Sequence, residues 1–335
     1  MSISPMQRWI RGARDFTESP LWRGPRPSLA GVLCLALLTV LPGSAYAQDA
    51  SVTFRRVLDA QWHTAYSGIK RTVVTSDGKS GIVEAQVVQK ADGHRMVTVT
   101  NPQRRAGETQ VDDGAFLWHY DPQKNAVMLS PTEVGKQRGE GRSRSPLLSP
   151  NGSDTIAGRP TISYTVVYSR PDAPKLRWWV DTATLVPLRT ELTTRDGKQI
   201  TEEYEQIDFA HPGEVQFVWP AGAALYVRSW TGHGERGPFA ALRTPVALPE
   251  PLPPGVVCDS LCTRDLAGRS VLWLHFRLHH GAEASLFETT SPPSGEATPG
   301  VNVENWNLGP LNITMVGNLA PGVRAALRSA LRIVH

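Results

Sequence analysis

Short β-rich segments separated by turn residues follow one another along most of the chain. Asp77-Gly78, Asp92-Gly93 and Asp196-Gly197 each lie between two such segments. Asp-Gly in this position is a strong hairpin signal, because glycine accepts the positive φ that a tight turn requires. No helical stretch of roughly 10–15 residues separates successive segments, as a parallel sheet would require. The sequence therefore predicts a mainly β fold built on an antiparallel meander.

A leader precedes the β-rich part. The apolar run Ser28–Leu41 follows several arginines and ends in a small-x-small pattern at Ala45 and Ala47. Its uninterrupted apolar core of about 13 residues is too short for a comfortable membrane span. The pattern predicts a secretory signal peptide over residues 1–47, cleaved before Gln48, and hence an exported protein. An uncleaved anchor is the alternative interpretation.

The positive charge of the chain belongs mostly to this leader. The net charge is +4, and residues 1–47 hold five arginines against one aspartate and one glutamate. The leader thus accounts for +3, and the rest of the chain carries only +1. A nearly neutral body lacks the electrostatic footprint of a protein that binds a polyanion, so no nucleic-acid partner is expected.

Regular structure besides the meander is expected in two places. Apolar residues at helical spacing predict an amphipathic helix over 52–62, with Ser51 as its N-cap. A second helix is expected to begin at Pro321, which suits a first helical turn.

Residues 131–160 are polar and glycine-rich, and we expect a long loop there. The proline-rich stretch 223–255 is expected to be a linker with little regular structure.

Alternation along two strands assigns several aromatic side chains to faces. Trp178 and Trp179 are adjacent, so they point to opposite faces of a strand. Either the sheet is covered on both faces there or one tryptophan lines a groove. In a later strand, Trp273, His275 and Arg277 share one face, opposite a row of leucine and phenylalanine. An aromatic and cationic mixture of this kind is enriched at protein interfaces.

Two cysteines, Cys258 and Cys262, remain after removal of the leader. Export to an oxidising compartment favours a disulfide between them. A zinc site needs about four ligands, and no second cysteine pair exists here. A redox motif usually has two intervening residues rather than three. We therefore predict a Cys258–Cys262 disulfide and no metal.

The chain shows no catalytic constellation. The pattern Gly232-x-Gly234-x-x-Gly237 matches a dinucleotide fingerprint, but Pro238 follows at once and no βαβ unit surrounds it. No P-loop, no HExxH and no GxSxG motif occurs. The sequence thus predicts a protein that is not an enzyme and needs no cofactor, with a secreted enzyme of unrecognised class as a remaining alternative.

Several motifs resemble known families of periplasmic proteins. The stretch Val111-Asp112-Asp113-Gly114, with Leu117-Trp118-x-Tyr120-Asp121-Pro122, resembles lipoprotein carriers of the LolA type. Other motifs are similar to the sigma-E factor regulatory proteins of the MucB/RseB family. These are Trp178-Trp179-Val180-Asp181-Thr182, Pro187-Leu188-Arg189, Arg195-Asp196-Gly197, Glu203-x-Glu205-x-Ile207-x-Phe209 and Ile313-Thr314-Met315-Val316-Gly317-Asn318-Leu319-x-Pro321. The resemblance covers roughly residues 52–215 and 265–332.

The resemblance implies a specific architecture. The large domain, over 48–222, would be a LolA-like open antiparallel half-barrel with helices on its concave face. A smaller α/β domain over 256–335 would bind the partner. Members of this family bind the periplasmic region of a transmembrane anti-sigma factor and sense lipid through an apolar cleft. A periplasmic regulator of an envelope-stress sigma factor, peripheral to the membrane, is therefore the first hypothesis.

The second hypothesis is a periplasmic carrier of lipid or lipoprotein acyl chains, which would use the same cleft for transport. The aromatic candidates for the cleft are Trp118, Tyr120, Trp178 and Trp179. The small domain favours the regulator, because a minimal carrier needs no second domain. Its candidate partner-binding residues are Trp273, His275 and Arg277.

Overall fold

The computed structural model describes residues 44–132, 146–168, 173–215, 220, 222–230, 236–242, 245–266, 269–278, 281–290 and 302–334. Contacts divide the chain into two units, 1–47 and 48–335. Most of the predicted signal peptide and the pattern Gly232-x-Gly234 lie outside the described residues. The elements named below belong to the second unit, apart from the first turn of the N-terminal helix.

Eleven described strands, β1–β11, form one open sheet. Their bounds are Tyr66–Ser76, Lys79–Gln89, Arg95–Asn101, Thr109–Asp112, Phe116–Asp121, Ala126–Pro131, Leu147–Ile156, Arg159–Val167, Lys175–Asp181, Pro187–Thr193 and Gln199–Asp208. They pair in the spatial order β7-β8-β9-β10-β11-β1-β2-β3-β4-β5-β6, always antiparallel. Among the described strands, no pairing joins β7 to β6, so the sheet does not close. The predicted mainly β class with an open antiparallel sheet is confirmed.

The Asp-Gly turns form hairpins, as the sequence predicts. Asp77 and Gly78 both have positive φ, 53° and 72°, which is the requirement of the type I′ turn. The turn joins β1 to β2 and pairs Ser76 with Lys79.

The prediction of one long loop over 131–160 is wrong, because β7 occupies its second half. That strand is highly exposed and polar, so it carries little of the apolar pattern that marks a strand in a sequence.

Helix α1 spans Ser44–His63 and packs on the sheet beside Trp178. The ring of Phe54 stacks on that of Trp178, with centroids 5.4 Å apart and planes inclined by 13°. Val57 is fully buried in the same apolar cluster. The predicted helix is confirmed, but the predicted N-cap Ser51 lies inside it. The alanine-rich stretch before Ser51 has high helix propensity and extends the helix toward its N-terminus.

The segment 223–255 contains three strands, which corrects its prediction as a linker without regular structure. They are β12 (Ala224–Trp230), β13 (Arg236–Leu242) and β14 (Val246–Pro249). β12 runs parallel to β6, with Val227 opposite Leu129, and antiparallel to β13. Four of the six prolines of the segment lie at or after the last residue of β14, at 249, 251, 253 and 254. Proline therefore ends β14 rather than preventing strands in the segment.

The C-terminal strands form a sheet that β12 joins to the large one. Their bounds are Val256–Leu266 (β15), Arg269–Leu278 (β16), Glu283–Thr289 (β17), Val303–Leu308 (β18), Leu311–Gly317 (β19) and Leu331–Val334 (β20). The spatial order is β15-β16-β17-β19-β18, and β12 meets β15 where Trp230 pairs with Leu261. Helix α2, Pro321–Ala330, begins at the predicted proline. β14 and β20 pair in a separate two-stranded sheet.

One apolar core serves both the large sheet and the C-terminal strands. Its buried members from β5, β6 and β12 are Phe116, Trp118, Val127, Leu129, Leu225 and Val227. The members from β16, β17 and α2 are Leu272, Leu274, Phe276, Leu278, Leu286 and Leu327. Because these side chains belong to one cluster, removal of the C-terminal strands would expose apolar surface of the large sheet.

Glu288 lies inside this apolar region, only 3% exposed. Its Oε2 accepts a hydrogen bond of 2.7 Å from the backbone N–H of Ala247 on β14. Its Oε1 is buried without a hydrogen-bond partner among the described residues. Burial raises the pKa of Glu288 to about 8, although the bond from Ala247 acts in the opposite direction. This carboxyl group is therefore mostly protonated at neutral pH.

Substitution Glu288→Gln is expected to stabilise the protein increasingly as the pH rises. A raised folded-state pKa means that the contribution of Glu288 is fully present below its ordinary pKa of 4.5 and is lost as the pH rises through about 8. The shift corresponds to about 3–5 kcal/mol in the free energy of unfolding above pH 8. Urea unfolding at several pH values between 5 and 9 measures it.

The matched control is Glu283→Gln on the same strand, whose side chain is 59% exposed. We expect it to change the free energy of unfolding by less than about 0.5 kcal/mol. Parallel pH curves for the wild type and Glu288→Gln would contradict the predicted charge burial.

Candidate functional site

The candidate site is the outer face of the C-terminal sheet, opposite the shared core. On β16, the side chains of Leu272, Leu274, Phe276 and Leu278 are buried and alternate with those of Trp273, His275 and Arg277. His275 is 19% exposed and Arg277 is 49% exposed in their side chains. The strand therefore presents the three predicted residues on one face, and Arg277 is the most exposed of them.

A β-bulge adds an acidic side chain to this face. The register of β15 against β16 shifts between Cys258 and Ser260, so Asp259 is the extra residue of the bulge. Its Oδ1 lies 2.6 Å from Nδ1 of His275, and its Oδ2 lies 3.7 Å from Nε of Arg277. Glu283 of β17 approaches His275 Nε2 at 3.8 Å from the other side. The outer face is thus an alternating network of two acids and two cations.

The network shifts the titration of its two central groups. The hydrogen bond that His275 donates to Asp259 raises the pKa of His275 above its ordinary value, against the lowering effect of partial burial. Burial raises the pKa of Asp259, but the bond with His275 and the charges of His275 and Arg277 outweigh it and lower the pKa. The pair therefore keeps an imidazolium beside a carboxylate up to a higher pH than an isolated histidine would.

A second polar cluster lies within the large sheet, and the sequence analysis did not find it. Lys70 is 9% exposed, and its Nζ donates to Oε2 of Glu202 at 3.0 Å. The hydroxyl groups of Tyr66 and Tyr204 are hydrogen-bonded at 3.0 Å. Burial lowers the pKa of Lys70, as does the charge of Arg95, against the raising effect of Glu202. The only sequence signal is a set of polar residues at inward positions of strands, which is too common to single out a site.

The structure does not bring the four aromatic cleft candidates together. Trp118 and Tyr120 pack at the shared core, and Trp118 Nε1 donates to Asp113 at 2.7 Å. Trp178 lies under α1 and Trp179 lies in a separate cluster, so both faces of the sheet are covered there. All three tryptophans are 6% exposed. They contribute to packing in three clusters rather than to one open cleft, which corrects the prediction of a single aromatic site.

Two arginine side chains contact the ring of Trp179. The guanidinium carbons of Arg177 and Arg189 each lie 4.6 Å from its ring centroid. Both arginines also contact Glu191, at 3.7 and 2.5 Å. These stacked cations cover the tryptophan that sequence alternation left either covered or in a groove.

The predicted Cys258–Cys262 disulfide is absent, and both thiols are free and buried. Both cysteines lie on β15, and four residues of extended strand span roughly 13 Å between Cα atoms. A disulfide needs Cα atoms within about 7 Å. Cys258 belongs to the shared core, whereas Cys262 pairs with Trp273 across the strands. The two side chains thus belong to opposite faces.

The described residues contain no group of three or more histidine, cysteine, aspartate or glutamate side chains placed to hold a metal ion. Within the same residues, no helix is both long and apolar enough to cross a membrane.

No family model and no curated protein matches the chain. Solved structures do. The structure of MucB in complex with MucA(peri) is 16% identical, covers 85% of this chain and 98% of its own, and has a TM-score of 0.37. The MucA/MucB complex of Pseudomonas aeruginosa is 17% identical in sequence, covers 85% of this chain and 98% of its own, and has a TM-score of 0.36. A LolA superfamily protein from Nitrosomonas europaea is 11% identical in sequence, covers 50% of this chain and 94% of its own, and has a TM-score of 0.29. Similarities at these values carry no argument about the function of this chain.

Cys258 and Cys262 are expected to resist alkylation in the native protein and to react in denaturant without a reductant. Both side chains are buried, at 3% and 6% exposure, and burial raises the pKa of the Cys258 thiol. Mass spectrometry after maleimide treatment counts the labelled thiols. A chain that begins at Gln48 has only these two cysteines. Labelling in urea that requires prior reduction would show that the disulfide exists.

The substitution Asp259→Asn is expected to lower the pKa of His275, because it removes the charge that stabilises the imidazolium. The raised pKa means that the contribution of His275 to stability is present below about 6.5 and is lost as the pH rises through its folded value. The substitution should therefore cost about 1–2 kcal/mol in the free energy of unfolding at pH 6 and less at pH 9. An NMR titration of the His275 ring measures the pKa directly.

The control for this titration is Glu283→Gln. Glu283 is more exposed and its carboxylate is more distant from the imidazole, at 3.8 Å. We expect a smaller shift of the His275 pKa than with Asp259→Asn. An unchanged pKa in the Asp259→Asn protein would mean that the bulge does not set the charge of His275.

Proposed function

We propose that this protein is a periplasmic, non-enzymatic regulator that binds the periplasmic region of an anti-sigma factor through its C-terminal sheet. The observation that supports this proposal is the outer face of β15–β17, where Trp273, His275 and Arg277 lie together with Asp259 and Glu283. An aromatic ring beside paired charges is the composition that interfaces favour. The identity of the partner rests on the MucB/RseB-like sequence motifs.

The charge pairing on this face suits a protein partner better than a small substrate. Its central charges are already paired with one another, so a partner needs to supply complementary contacts at the more exposed rim. Arg277 and Glu283, with side chains 49% and 59% exposed, are the members best placed to exchange partners. Such rim charges steer association, whereas the aromatic ring supplies buried area.

The experiment is isothermal titration of the exported chain with the periplasmic segment of a single-span anti-sigma protein encoded beside it. We expect Trp273→Ala and Arg277→Ala each to weaken binding about tenfold. The matched control is Arg71→Ala on β1, an exposed strand arginine of the large sheet, with an expected change below about twofold. Unchanged binding in a Trp273→Ala/Arg277→Ala protein would exclude this face as the recognition surface.

Lipid binding is the second part of the proposal, and a carrier of lipid or lipoprotein acyl chains is its alternative. It is supported by partly buried apolar side chains around the contact of α1 with the sheet. They are Phe54, Leu58, Tyr164, Tyr168, Leu176 and Leu185. An acyl chain could extend this cluster if α1 moved away from Trp178. We therefore assign the lipid site to the α1 contact rather than to the four aromatic residues considered from the sequence.

Native mass spectrometry of the protein from membrane-bearing cells tests for a bound lipid. We expect an acylated molecule that is lost in a Leu58→Asp protein and retained in an Asp59→Ala protein, because Asp59 is exposed on the same helix. A folded preparation without any acylated ligand would remove both lipid sensing and the carrier alternative. Partner binding by the outer face would stand independently of that result.

A further inference from the structure

We propose that the free edge of β18, together with the arginines of α2, binds an acidic segment of a partner protein as an added β-strand. This inference rests on the proposed function only in that the segment belongs to the same kind of partner. The surface is defined by β18, Val303–Leu308, and by Arg324 and Arg328 of α2. It is distinct from the outer face that carries Trp273.

The first observation is an unpaired sheet edge. Among the described residues, β18 pairs with β19 alone. The N–H of Gly317 donates to the carbonyl of Asn302, and in an antiparallel pair such bonded positions alternate with unbonded ones. By this alternation, the backbone groups of Val303, Asn305 and Asn307 point away from β19 toward the free edge. These N–H and C=O groups are the template to which an extended peptide adds.

The second observation is an excess of positive charge beside this edge. The side chain of Arg328 is 53% exposed, and its Nη1 lies 2.9 Å from Oε1 of Glu304. Nε of Arg324 lies 3.9 Å from Oε2 of the same glutamate. Among the described residues, Glu304 is the only carboxylate that forms an ion pair with either arginine. One acid on β18 thus serves two guanidinium groups of α2.

The geometry joins the two observations. The side chains of Glu304 and Trp306 reach α2, since Glu304 pairs with both arginines and the guanidinium carbon of Arg328 lies 5.2 Å from the centroid of the Trp306 ring. Side chains of neighbouring strands that face the same way lie side by side. Alternate residues of a strand added next to β18 would therefore face Arg324 and Arg328. Glutamate or aspartate at every second position is the pattern that fits them.

The composition of β18 agrees with a docking edge. Natural sheets usually protect free edges with lysine, proline or inward charges. β18 contains neither lysine nor proline, and its one inward charge, Glu304, is neutralised by Arg324 and Arg328. The excess of arginine beside the edge selects an acidic segment and disfavours pairing of two copies of β18, which would bring both arginine sets together.

The test measures fluorescence polarisation of a labelled eight-residue probe, Thr-Glu repeated four times, with the full exported chain at low salt. This probe is long enough to cover β18 and places all its acids on one face of a strand. Two control probes replace glutamate with lysine or arrange the same residues as Thr-Thr-Glu-Glu repeated twice, which divides the acids between both faces. We expect the alternating acidic probe to bind at least fivefold more tightly than either control.

Two protein variants test the two halves of the surface. Arg324→Glu/Arg328→Glu should weaken binding of the alternating probe at least tenfold, whereas Arg55→Glu/Arg56→Glu, the same charge change on exposed arginines of α1, should change it less than twofold. Asn307→Pro removes an edge N–H and should weaken binding at least fivefold relative to Asn307→Ala, which keeps it. Thermal unfolding of each variant verifies the fold.

Several outcomes would overturn the inference. Absence of probe binding would do so, as would equal binding by Asn307→Pro and Asn307→Ala, which would reduce the surface to a general anion site. Vesicles of phosphatidylglycerol and phosphatidylcholine that bind more tightly than the probe, with the same arginine dependence, would assign the arginines to a membrane surface. Arg277→Ala should change the affinity for the probe by less than twofold. If Arg277→Ala abolishes anti-sigma binding and the β18-edge variants do not, the proposed function stands and the β18 edge is rejected as a binding surface.

Discussion

The parallel pairing of β12 with β6 determines how the two parts of the described chain are joined. It places Leu225 and Val227 beside Val127 and Leu129, and it leads into β15 through the pairing of Trp230 with Leu261. The inner face of the C-terminal sheet then packs in the same core as Trp118. A boundary that looks like a proline-rich linker in the sequence is thus a point of continuous hydrogen bonding. The C-terminal strands are part of what covers the large sheet.

This shared core explains why point variants suit this molecule better than truncations. A chain cut near Pro249 would lose β20, the partner of β14, and would uncover Phe116, Trp118 and Leu129. Burial of apolar surface contributes roughly 25 cal/mol per Å², so uncovering several large side chains costs several kcal/mol. Loss of partner binding after such a cut would report on the core as much as on the interface. Substitutions on the outer face or at the β18 edge avoid that ambiguity.

Local patterns predicted much of the fold, whereas long-range choices were not predictable. The Asp77-Gly78 hairpin and the alternation along β16 depend only on φ and on a period of two residues. The parallel partner of β12 lies in a strand far away in the sequence, and no local signal selects it. The bulge at Asp259 could not be predicted either, because it is defined by the register of β15 against β16. Without that register, the ion pair with His275 cannot be inferred.

The incorrect predictions have a common physical origin. Adjacent tryptophans indicate two faces, but the sequence does not say what covers each face; here α1 covers Trp178 and two arginines cover Trp179. Two cysteines in an exported chain suggest a disulfide, but an extended strand keeps Cys258 and Cys262 too far apart. In both cases the residue types were correctly recognised and the conformation between them decided the outcome.

Both faces of the C-terminal sheet favour a protonated side chain, for different physical reasons. On the inner face, stability requires Glu288 to hold its proton, since a charged carboxylate there lacks a second hydrogen-bond donor among the described residues. On the outer face, the hydrogen bond with Asp259 and the charges of Asp259 and Glu283 favour the protonated form of His275. The core therefore weakens as the pH rises toward 8, and the outer face loses the charge of its histidine as the pH rises through the raised pKa of His275. Acidic conditions thus favour both the folded C-terminal sheet and the ion pair of His275 with Asp259, and a partner that contacts the outer face would gain from both effects.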